Sequence, residues 1–368
     1  MRFLINCSNL RQGGGIQVAD SICASLNEYK DHHFGVVLPS MMGKTYDTIS
    51  GYDNVSVYYY ELNKALASTL FLRDDFLDRL VKENSYDAVL TIFGPSRWRP
   101  RAPHLCGFAR AHILPMDTPY FSNLSYKERI VNRLVRIAFD RCSDYYWTEN
   151  PAISALLQRV FPDKHIYTIS NTYNQVFDNP NIWNTHELPP FEGITMLTVT
   201  NAYPHKNLGI ALKIAEYLDA KYDGFNYRFV FTITESEYPQ IPKELRKHFC
   251  FIGSVDISEC PSLYKQSDIV FQPTLLECFT ATYAEAMRMG KPIITSDLDF
   301  ARGLCGDAAI YYSPLDAQAA AEAITKVASD KDLYSHLVAN GEKQLSGFDD
   351  YKHRSDKLIK ILETIANK

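Results

Sequence analysis

The sequence has few of the features that mark secreted, membrane-spanning or zinc-binding proteins. Its eight cysteines are scattered, with no Cys-x-x-Cys pair and no histidine at zinc-ligand spacing, which indicates reduced, mostly buried thiols of a cytosolic protein. No window approaches the eighteen apolar residues that a spanning helix needs, and the apolar run after Met1 is too short for a signal peptide. We therefore expect a cytoplasmic protein, soluble or at most peripheral to a membrane.

Positive charge is not in excess either. The chain of 368 residues carries 38 Lys and Arg against 43 Asp and Glu, a net charge of −5. This argues against a dedicated nucleic-acid binder, whose domain is usually strongly basic. No repeat or low-complexity segment is present, and the length predicts two domains of ordinary size, each able to bury a core.

The most informative stretch runs from Asp268 to Asp297. Residues 268–272 form a short apolar run, residues 280–289 have an apolar face at helical spacing, and residues 292–295 form a second apolar run. This pattern predicts strand, helix and strand. Residues 273–280 form the first loop, and we expect the Thr280 hydroxyl to cap the helix. Gly290 and Pro292 then end the helix.

Two carboxylates in this unit, Glu277 and Glu285, stand eight residues apart. Glu277 falls in the loop at the carboxyl end of a strand, where ligands bind in open α/β sheets. The free N–H groups at the helix start favour a diphosphate, while carboxylates suit sugar or ribose hydroxyls. The alternative is that Glu277 is a loop charge and Glu285 a solvated helix residue.

The first residues repeat the strand, loop and helix order. An apolar run at residues 3–7 leads through a loop that contains Gly13, Gly14 and Gly15 to a helical pattern at residues 16–26. Three glycines allow bare backbone N–H groups to approach an anion. The spacing matches neither common phosphate-loop motif, so a flexible turn is the alternative.

Strands and helices alternate through both halves of the chain, which predicts mostly parallel sheets. Residues 178–193 are rich in Pro and Asn and predict an interdomain linker. Residues 317–343 and 351–368 are helical in pattern, with an interruption at 347–350. The further predicted strands are 34–38, 55–59, 87–93, 104–109, 143–148, 165–170, 194–199, 227–232 and 249–255, and a helix is predicted over 62–83.

Two stretches of the first half are candidates for recognition of a second substrate. Arg110 and His112 follow the strand at 104–109, at the sheet edge where substrates bind; a structural or solvated histidine is the alternative. The helix at 126–142 places Ile130, Leu134, Ile137 and Ala138 on one face among basic residues. This face is expected to pack on the sheet. With Arg129, Arg133, Arg136 and the Trp98 loop, the helix could also dock on an anionic membrane.

Residues 264–316 resemble the carboxyl-terminal signature of retaining glycosyltransferases of family 4. The Glu-x7-Glu pair and the segments Glu-Ala-Met, Gly-Lys-Pro and Gly-Asp-Ala-Ala occur in the family's order. The resemblance implies a GT-B fold, in which two Rossmann-like, doubly wound α/β domains face each other across a cleft. The domains are then residues 1–180, on the acceptor side, and 190–346, which binds the nucleotide sugar, with a C-terminal helix at 347–368 crossing back to the first domain.

The resemblance also implies roles for single residues. Lys206 matches the family's diphosphate-binding lysine, whereas Asn201 replaces its arginine, so His205 is a candidate for the missing charge. Glu277 would orient sugar hydroxyls and Glu285 would bind ribose. The donor-binding set is completed by the first-domain glycines Gly13, Gly14 and Gly15 and by the backbone of Cys278, Phe279 and Thr280.

These observations predict a retaining glycosyltransferase that moves a sugar from a nucleoside diphosphate to a hydroxyl acceptor, in the synthesis of a cell-surface polysaccharide or glycolipid. No Asp-x-Asp metal site is evident, since Asp297 and Asp299 read as a turn cap, so no metal or other cofactor is expected. The alternatives are a GT-B nucleotide-sugar epimerase and a silent nucleotide-sugar-binding protein. The nucleotide, the sugar, the acceptor and the oligomeric state stay open.

Overall fold

The computed structural model describes residues 1–11, 13–62 and 72–368, and the chain divides into two compact units. The first comprises residues 1–116, 124–174 and 349–368, and the second comprises residues 117–123 and 175–348. In this division the central segment of the first unit ends at residue 174. No local sequence pattern indicated that residues 117–123 group with the second unit. The helix predicted over 62–83 lies partly outside the described residues.

The described part of the first unit contains a parallel sheet. Its strands are β1 (Arg2–Asn6), β2 (His33–Leu38), β3 (Val55–Tyr59), β4 (Ala88–Thr91), β5 (His104–Gly107), β6 (Tyr145–Thr148) and β7 (His165–Thr168). The strand order is β3-β2-β1-β4-β5-β6-β7. The order reverses between β1 and β4, and a reversal of this kind leaves a crevice at the carboxyl ends of the two strands.

Helices cover this sheet, and several begin where a side chain satisfies the free N–H groups. Ser125 and Glu128 form a capping box, Asn150 caps the next helix ahead of Pro151, and Asp350 caps the last one. The helices are α1 (Gly14–Ser25), α2 (Gly43–Ile49), α3 (Asp75–Glu83), α4 (Tyr126–Cys142), α5 (Pro151–Val160) and, from the end of the chain, α12 (Tyr351–Ala366).

The C-terminal helix α12 is part of the first unit, although the preceding residues belong to the second. Its buried face joins the apolar core formed with β1, β2, β4 and α1. That face consists of Leu358, Ile359, Leu362 and Ile365. These residues follow helical spacing, so the burial of apolar surface fixes the helix on this unit.

A buried polar network also ties α12 to its unit. The Arg354 guanidinium donates to the Asn171 side-chain oxygen and, at 2.6 Å, to Ser21 Oγ. Asn171 Nδ2 in turn donates to Glu149 Oε1 at 2.5 Å. Burial raises the pKa of Glu149 to about 7, against the opposing effects of the Arg354 charge and the Asn171 hydrogen bond. Arg354 is 2% exposed, so its charge depends on these partners.

The described residues of the second unit form another parallel sheet. Its strands are β8 (Ile194–Thr198), β9 (Tyr227–Phe231), β10 (Phe249–Phe251), β11 (Ile269–Gln272), β12 (Ile293–Ser296) and β13 (Ala309–Tyr312). They follow the order β10-β9-β8-β11-β12-β13. Here the order reverses between β8 and β11, so the loops that leave these two strands flank the crevice.

The long helix predicted near the end of the second unit is interrupted in the structure. Residues 317–343, predicted as one helix, form two, because Asp330 adopts an extended conformation and its side chain caps the second helix by accepting the Leu333 N–H at 2.9 Å. The helices are α6 (Ile210–Lys221), α7 (Cys260–Lys265), α8 (Ala281–Arg288), α9 (Asp299–Cys305), α10 (Ala317–Ser329) and α11 (Lys331–Leu345).

Residues 178–193, predicted as a linker, pack on the second unit instead. The Asn184 N–H donates to the Ser258 carbonyl at 2.9 Å, and the Leu188 N–H donates to the Gln266 side chain at 3.0 Å. The lack of periodicity correctly indicated an irregular segment. What it could not show is that side chains of the second unit supply the hydrogen bonds that this backbone needs.

Candidate active site

The loop after β8 carries Asn201, His205 and Lys206. It ends in a short 3₁₀ turn, Pro204–Lys206, followed by Asn207 in the left-handed conformation with φ 51°. The ring of His205 stacks on that of Tyr203 with centroids 5.6 Å apart. Asn201, at the position of the family's arginine, is exposed. This loop therefore supplies Lys206 as its partly buried cation.

The loop after β11 is hydrogen-bonded to the loop after β8. The Leu275 N–H donates to the His205 carbonyl at 2.7 Å, and the Thr274 hydroxyl lies 3.3 Å from the same oxygen. Since β8 and β11 are neighbours in the sheet, both loops leave the same edge. Residues that lie about seventy positions apart in the sequence are brought together in this way.

Lys206 and Glu277 form an ion pair where these loops meet. Lys206 Nζ lies 2.5 Å from Glu277 Oε1, and the side chains are only 16% and 11% exposed. Thr274 Oγ1 donates to the same carboxylate oxygen at 2.9 Å. Glu277 is therefore not a solvated loop charge. A partly buried cation and a partly buried carboxylate are thus adjacent, each held in place by the other.

Helix α8 begins directly after this loop. Thr280 is its N-cap residue, but the Thr280 hydroxyl lies 3.4 Å from the Thr282 hydroxyl and accepts no backbone N–H of the helix. The predicted side-chain cap is therefore wrong. The first turn contains no acidic residue, so its N–H groups and the helix dipole favour an anion. Cys278 is buried and Phe279 partly buried beside them.

Glu285 lies on the buried face of α8. It is 6% exposed, and its Oε2 accepts a hydrogen bond from the Tyr264 hydroxyl at 2.7 Å. Burial raises the pKa of Glu285 to about 7, although the hydrogen bond from Tyr264 lowers it. The alternative of a solvated helix residue is therefore wrong. A buried carboxylate with a single protein donor is an unusual residue, and perturbed groups of this kind are enriched at functional sites.

Tyr264 is the hydrogen-bond partner of Glu285, and the sequence pattern did not identify it. It is fully buried on α7, and the Phe177 ring packs against it with centroids 5.8 Å apart. Tyr264 lies twenty-one residues before Glu285 in the sequence, and neither helical nor strand periodicity predicts a contact at that separation. A buried tyrosine usually needs a partner for its hydroxyl, but the sequence alone does not identify that partner.

The three glycines follow β1, at the end of the loop and the start of α1. Gly13 has φ 74°, a conformation that favours glycine, and it precedes α1. Among the described residues, a Cβ on Gly14 would meet no atom within 4 Å, whereas one on Gly15 would lie 3.3 Å from a Leu10 methyl group. Helix α1 has neither a side-chain cap nor an acidic residue in its first turn, so its first N–H groups favour an anion.

Arg110 and His112 also belong to the first unit. Arg110 is exposed three residues after β5 ends, and His112 is partly exposed within the 3₁₀ turn Ala111–Ile113. The charge of His112 contributes to lowering the pKa of Glu128 on α4, after the larger effect of the hydrogen bonds from Ser125. The predicted acceptor-side residues therefore lie beside α4, on a different unit from Lys206.

The apolar face of α4 differs from the prediction. Ala138 is buried as expected, but Ile130, Leu134 and Ile137 are 44%, 36% and 38% exposed. The helix carries two apolar stripes at helical spacing, and the one that packs inward is Val135, Ala138, Phe139 and Cys142. The outer stripe consists of Tyr126, Ile130, Leu134 and Ile137; we call it the exposed stripe.

Trp98 does not contribute to an exposed surface. It is fully buried, and its indole N–H donates to Asp78 at 3.0 Å. The Trp98 side chain is therefore not available for surface contact, and membrane contact by the Trp98 loop stays a prediction. No helix within the described ranges has the length and apolarity needed to cross a membrane.

Within the described residues, no three or more His, Cys, Asp or Glu side chains gather in a way that could hold a metal ion. Asp297 accepts two hydrogen bonds from Arg302, at 2.5 and 2.7 Å, and Asp299 is the first residue of α9. Asp297 is therefore paired with Arg302, and the expected absence of a metal stays a prediction.

Comparison with solved structures defines the class of fold. A glycosyltransferase from Rickettsia africae aligns with 99% of this chain and 98% of its own, with a TM-score of 0.70 at 14% identity. Sucrose-phosphate synthase from Thermosynechococcus elongatus gives a TM-score of 0.70 at 14% identity, with 99% of both chains covered. HepE from Anabaena, solved with UDP and glucose, gives 0.68 at 15% identity, with 99% and 100% covered. The fold, two parallel-sheet α/β domains, is the predicted GT-B fold.

Sequence comparison narrows this class for the second unit. Residues 187–344, which lie in the second unit, match the family described as "Glycosyl transferases group 1". The chain is also 28% identical over 181 residues to the phosphatidyl-myo-inositol mannosyltransferase of Mycolicibacterium smegmatis. That alignment spans 48% of this chain and 47% of the relative, so the chain spans about half the length of this curated relative.

Proposed function

We propose that this protein is a retaining glycosyltransferase, which moves a sugar from a nucleoside diphosphate to a hydroxyl acceptor without a metal ion. The observation that carries the proposal is the Lys206–Glu277 pair in the crevice of the second unit, next to the start of α8. The family match to this unit supports it. So do the mannosyltransferase relative and the similarity of the fold to HepE, which was solved with UDP and glucose.

Each group has a role that follows from its chemistry. Negative charge grows on the departing diphosphate as the glycosidic bond breaks, and Lys206 with the first-turn N–H groups of α8 would stabilise that charge. Glu277 would accept hydrogen bonds from sugar hydroxyls, while the backbone of Cys278, Phe279 and Thr280 would border the sugar. Because Lys206 is already held beside Glu277, little reorganisation is needed when the donor binds.

The first unit would supply the acceptor side through Arg110 and His112. The backbone at Gly13, Gly14 and Gly15 would approach both the donor diphosphate and the acceptor, and Asn201 and His205 would line the diphosphate site of the second unit. The exposed apolar stripe of α4 suits an enzyme whose acceptor is lipid-linked or lies at the cell envelope. We therefore propose a role in cell-surface polysaccharide or glycolipid synthesis.

Acceptor dependence of nucleotide release tests the reaction class. A transferase releases nucleoside diphosphate in proportion to acceptor, and a retaining enzyme gives a product with the donor's anomeric configuration. The same assay in excess chelator should proceed at an unchanged rate. Epimerisation of the donor without an acceptor would establish the epimerase instead. Donor binding without turnover over a broad acceptor panel would establish a silent binding protein.

We expect Glu285→Gln to weaken nucleoside diphosphate binding by about tenfold or more. The reason is that a carboxylate accepting from ribose hydroxyls makes a charge-assisted contact of roughly 1.5–3 kcal/mol. Calorimetric titration with UDP and other nucleoside diphosphates measures the change. Glu244→Gln, which alters an exposed carboxylate of the same unit, is the matched control. Equal affinity in both variants would show that Glu285 is a structural residue only.

The same residue predicts a pH effect on stability. The pKa of Glu285 is about 7 in the folded protein, above its ordinary value of 4.5, so the folded protein binds more protons between these values. Stability contributed at this site is thus full below pH 4.5 and decreases as the pH rises to 7. The melting temperature of Glu285→Gln should therefore exceed that of the parent at pH 8 by more than at pH 5. A constant difference would contradict this prediction.

We also propose that α4 docks on the cytoplasmic face of an anionic membrane through its exposed stripe. Tyr126 is 81% exposed, and Arg129 and Arg133 beside the stripe are exposed too. Apolar side chains can enter the headgroup region while each neighbouring cation contributes about 1 kcal/mol. The apolar part of this proposed membrane surface is therefore the exposed stripe and not the buried Trp98 side chain.

Vesicle flotation tests this surface. Vesicles that contain phosphatidylglycerol should retain the protein at low salt and release it as ionic strength rises. Replacing both Arg129 and Arg133 by Gln removes about 2 kcal/mol and should weaken vesicle binding about thirtyfold. Replacing Arg79 and Lys82, two exposed cations of α3, should not. Equal retention by neutral and anionic vesicles would leave α4 as a solvated surface.

A further inference from the structure

Three arginines stand in loops that leave neighbouring strands of the first unit. Arg11 follows β1, Arg97 follows β4 and Arg110 follows β5, and these strands are adjacent in the sheet. Because the strands are parallel, the three loops leave the same edge of the sheet, at the reversal of strand order where ligands bind. We call these residues the arginine triad.

Hydrogen bonds hold the three loops together. The Asn9 side chain donates to the Phe93 carbonyl at 2.7 Å, which joins the loop after β1 to the loop after β4. The Gly94 N–H donates to the Gly107 carbonyl at 2.8 Å, which joins the loops after β4 and β5. The arrangement of the arginine triad is thus part of the fold of this unit.

The Arg11 guanidinium is fixed by neutral groups. It donates to the carbonyls of Ser8, Leu10 and Leu62 at 3.1, 3.0 and 3.1 Å. These acceptors orient the side chain and leave its formal charge in place. The hydrogen bonds from Ser40 are the main reason that the pKa of Glu61 is lowered. The charge of Arg11 lowers that pKa by a smaller amount.

Arg97 is held in an unfavourable setting. Its backbone has φ 49°, a left-handed conformation that costs a non-glycine residue free energy and is found most often at functional sites. Burial lowers the pKa of its guanidinium, and the charges of Arg110 and Arg11 lower it further. The charges of Arg97, Arg110 and Arg11 therefore act on the same region, and an anion bound there would be attracted by all three.

The adjacent backbone lacks side chains at two positions. Gly13 and Gly14 follow Arg11 closely, and among the described residues a Cβ on Gly14 would meet no atom within 4 Å. Helix α1, twelve residues long, begins at Gly14 without a side-chain cap, so its positive end lies in the same loop region as the arginine triad. Guanidinium groups bind phosphate through paired hydrogen bonds.

We propose that the arginine triad is a phosphate subsite for the acceptor, so that the hydroxyl substrate of this enzyme carries a phosphate ester. The inference rests on the proposed function, and it names the class of acceptor that the function left open. The phosphate can belong to a phospholipid headgroup or to a soluble sugar phosphate, because both present the same anionic oxygens to the arginine triad.

Calorimetric titration with inorganic phosphate, at constant ionic strength in chloride buffer, tests the subsite. Arg97→Gln and Arg110→Gln should each weaken phosphate binding by about tenfold, since each removes charge-assisted hydrogen bonds. Arg101→Gln, at an exposed residue of the same loop, should leave phosphate binding unchanged. Using two triad variants protects the test if Arg97→Gln fails to fold. Equal phosphate affinity in all three variants would overturn the inference.

Two further measurements identify the source of the phosphate and separate this inference from the proposed function. Displacement of inorganic phosphate by phosphatidylglycerol vesicles, but not by glucose 6-phosphate, assigns a lipid phosphate; the reverse assigns a soluble ester. Binding of UDP should be unchanged in Arg97→Gln. If UDP binds and the triad variants retain phosphate affinity, only the subsite fails. If no nucleoside diphosphate binds, the proposed function fails, whereas the phosphate titration still reports on the arginine triad.

Discussion

Lys206→Ala is expected to lower kcat by about a hundredfold whichever sugar is transferred. Lys206 Nζ lies 2.5 Å from Glu277 Oε1 with both side chains largely buried, and it is the cation that the loop after β8 offers to the diphosphate. Charge on the diphosphate grows as the glycosidic bond breaks, so the contact strengthens in the transition state and its loss falls on kcat. A cost of about 3 kcal/mol corresponds to this factor.

Further variants separate this effect from structural damage. Lys206→Arg keeps the charge and should retain more activity than Lys206→Ala, and a thermal melt of each variant checks the fold. Lys213→Ala, which removes an exposed cation of α6, is the matched control and should leave kcat unchanged. Asn201→Arg in the Lys206→Ala background should recover part of the loss. Near-normal kcat in Lys206→Ala would mean that the diphosphate is held elsewhere.

Arg354→Met is expected to destabilise the first unit by about 3–5 kcal/mol, because it leaves Glu149 buried without its cation. Arg354 is 2% exposed and connects α12 to Asn171 and Ser21, so the change removes a cation from the centre of a buried network. A lowering of the melting temperature by roughly 10 °C is expected for a unit of this size. Differential scanning calorimetry measures it.

A matched change on the same helix isolates the buried network. Lys357 is 51% exposed and forms an ion pair with Asp349. Lys357→Met breaks that pair and should lower the free energy of unfolding by at most about 1 kcal/mol. Adding Glu149→Gln to Arg354→Met removes the unpaired carboxylate and should restore part of the stability. If Arg354→Met and Lys357→Met melt alike, the buried network contributes no more than a surface pair.

Local patterns in the sequence were sufficient for the elements of the second unit around the site. Residues 268–272 and 292–295 were predicted as strands and are β11 (Ile269–Gln272) and β12 (Ile293–Ser296). Helix α4 was predicted at its observed bounds, Tyr126–Cys142. Short apolar runs and helical spacing reflect contacts between residues close in the chain. Such elements can therefore be predicted without knowledge of the tertiary structure.

The choice of buried face was decided only by tertiary packing. Helix α4 has two apolar stripes of similar spacing, and the one containing Ile130 and Leu134 looked as suitable for burial as the one containing Val135 and Phe139. Helical periodicity shows that a stripe exists but does not show which stripe the sheet covers. The same holds for Trp98, whose burial against Asp78 depends on a loop conformation that no local pattern specifies.

The sequence by itself determined the class of the fold and the residue types available for chemistry at Lys206, Glu277 and Glu285, because these depend on periodicity and on a family's motif order. Tertiary structure decided their partners. The pairing of Lys206 with Glu277 follows from the adjacency of β8 and β11, and that of Glu285 with Tyr264 from the packing of α8 on α7. Hydrogen bonds and charges act through space, so contacts between distant residues appear only when the chain has folded.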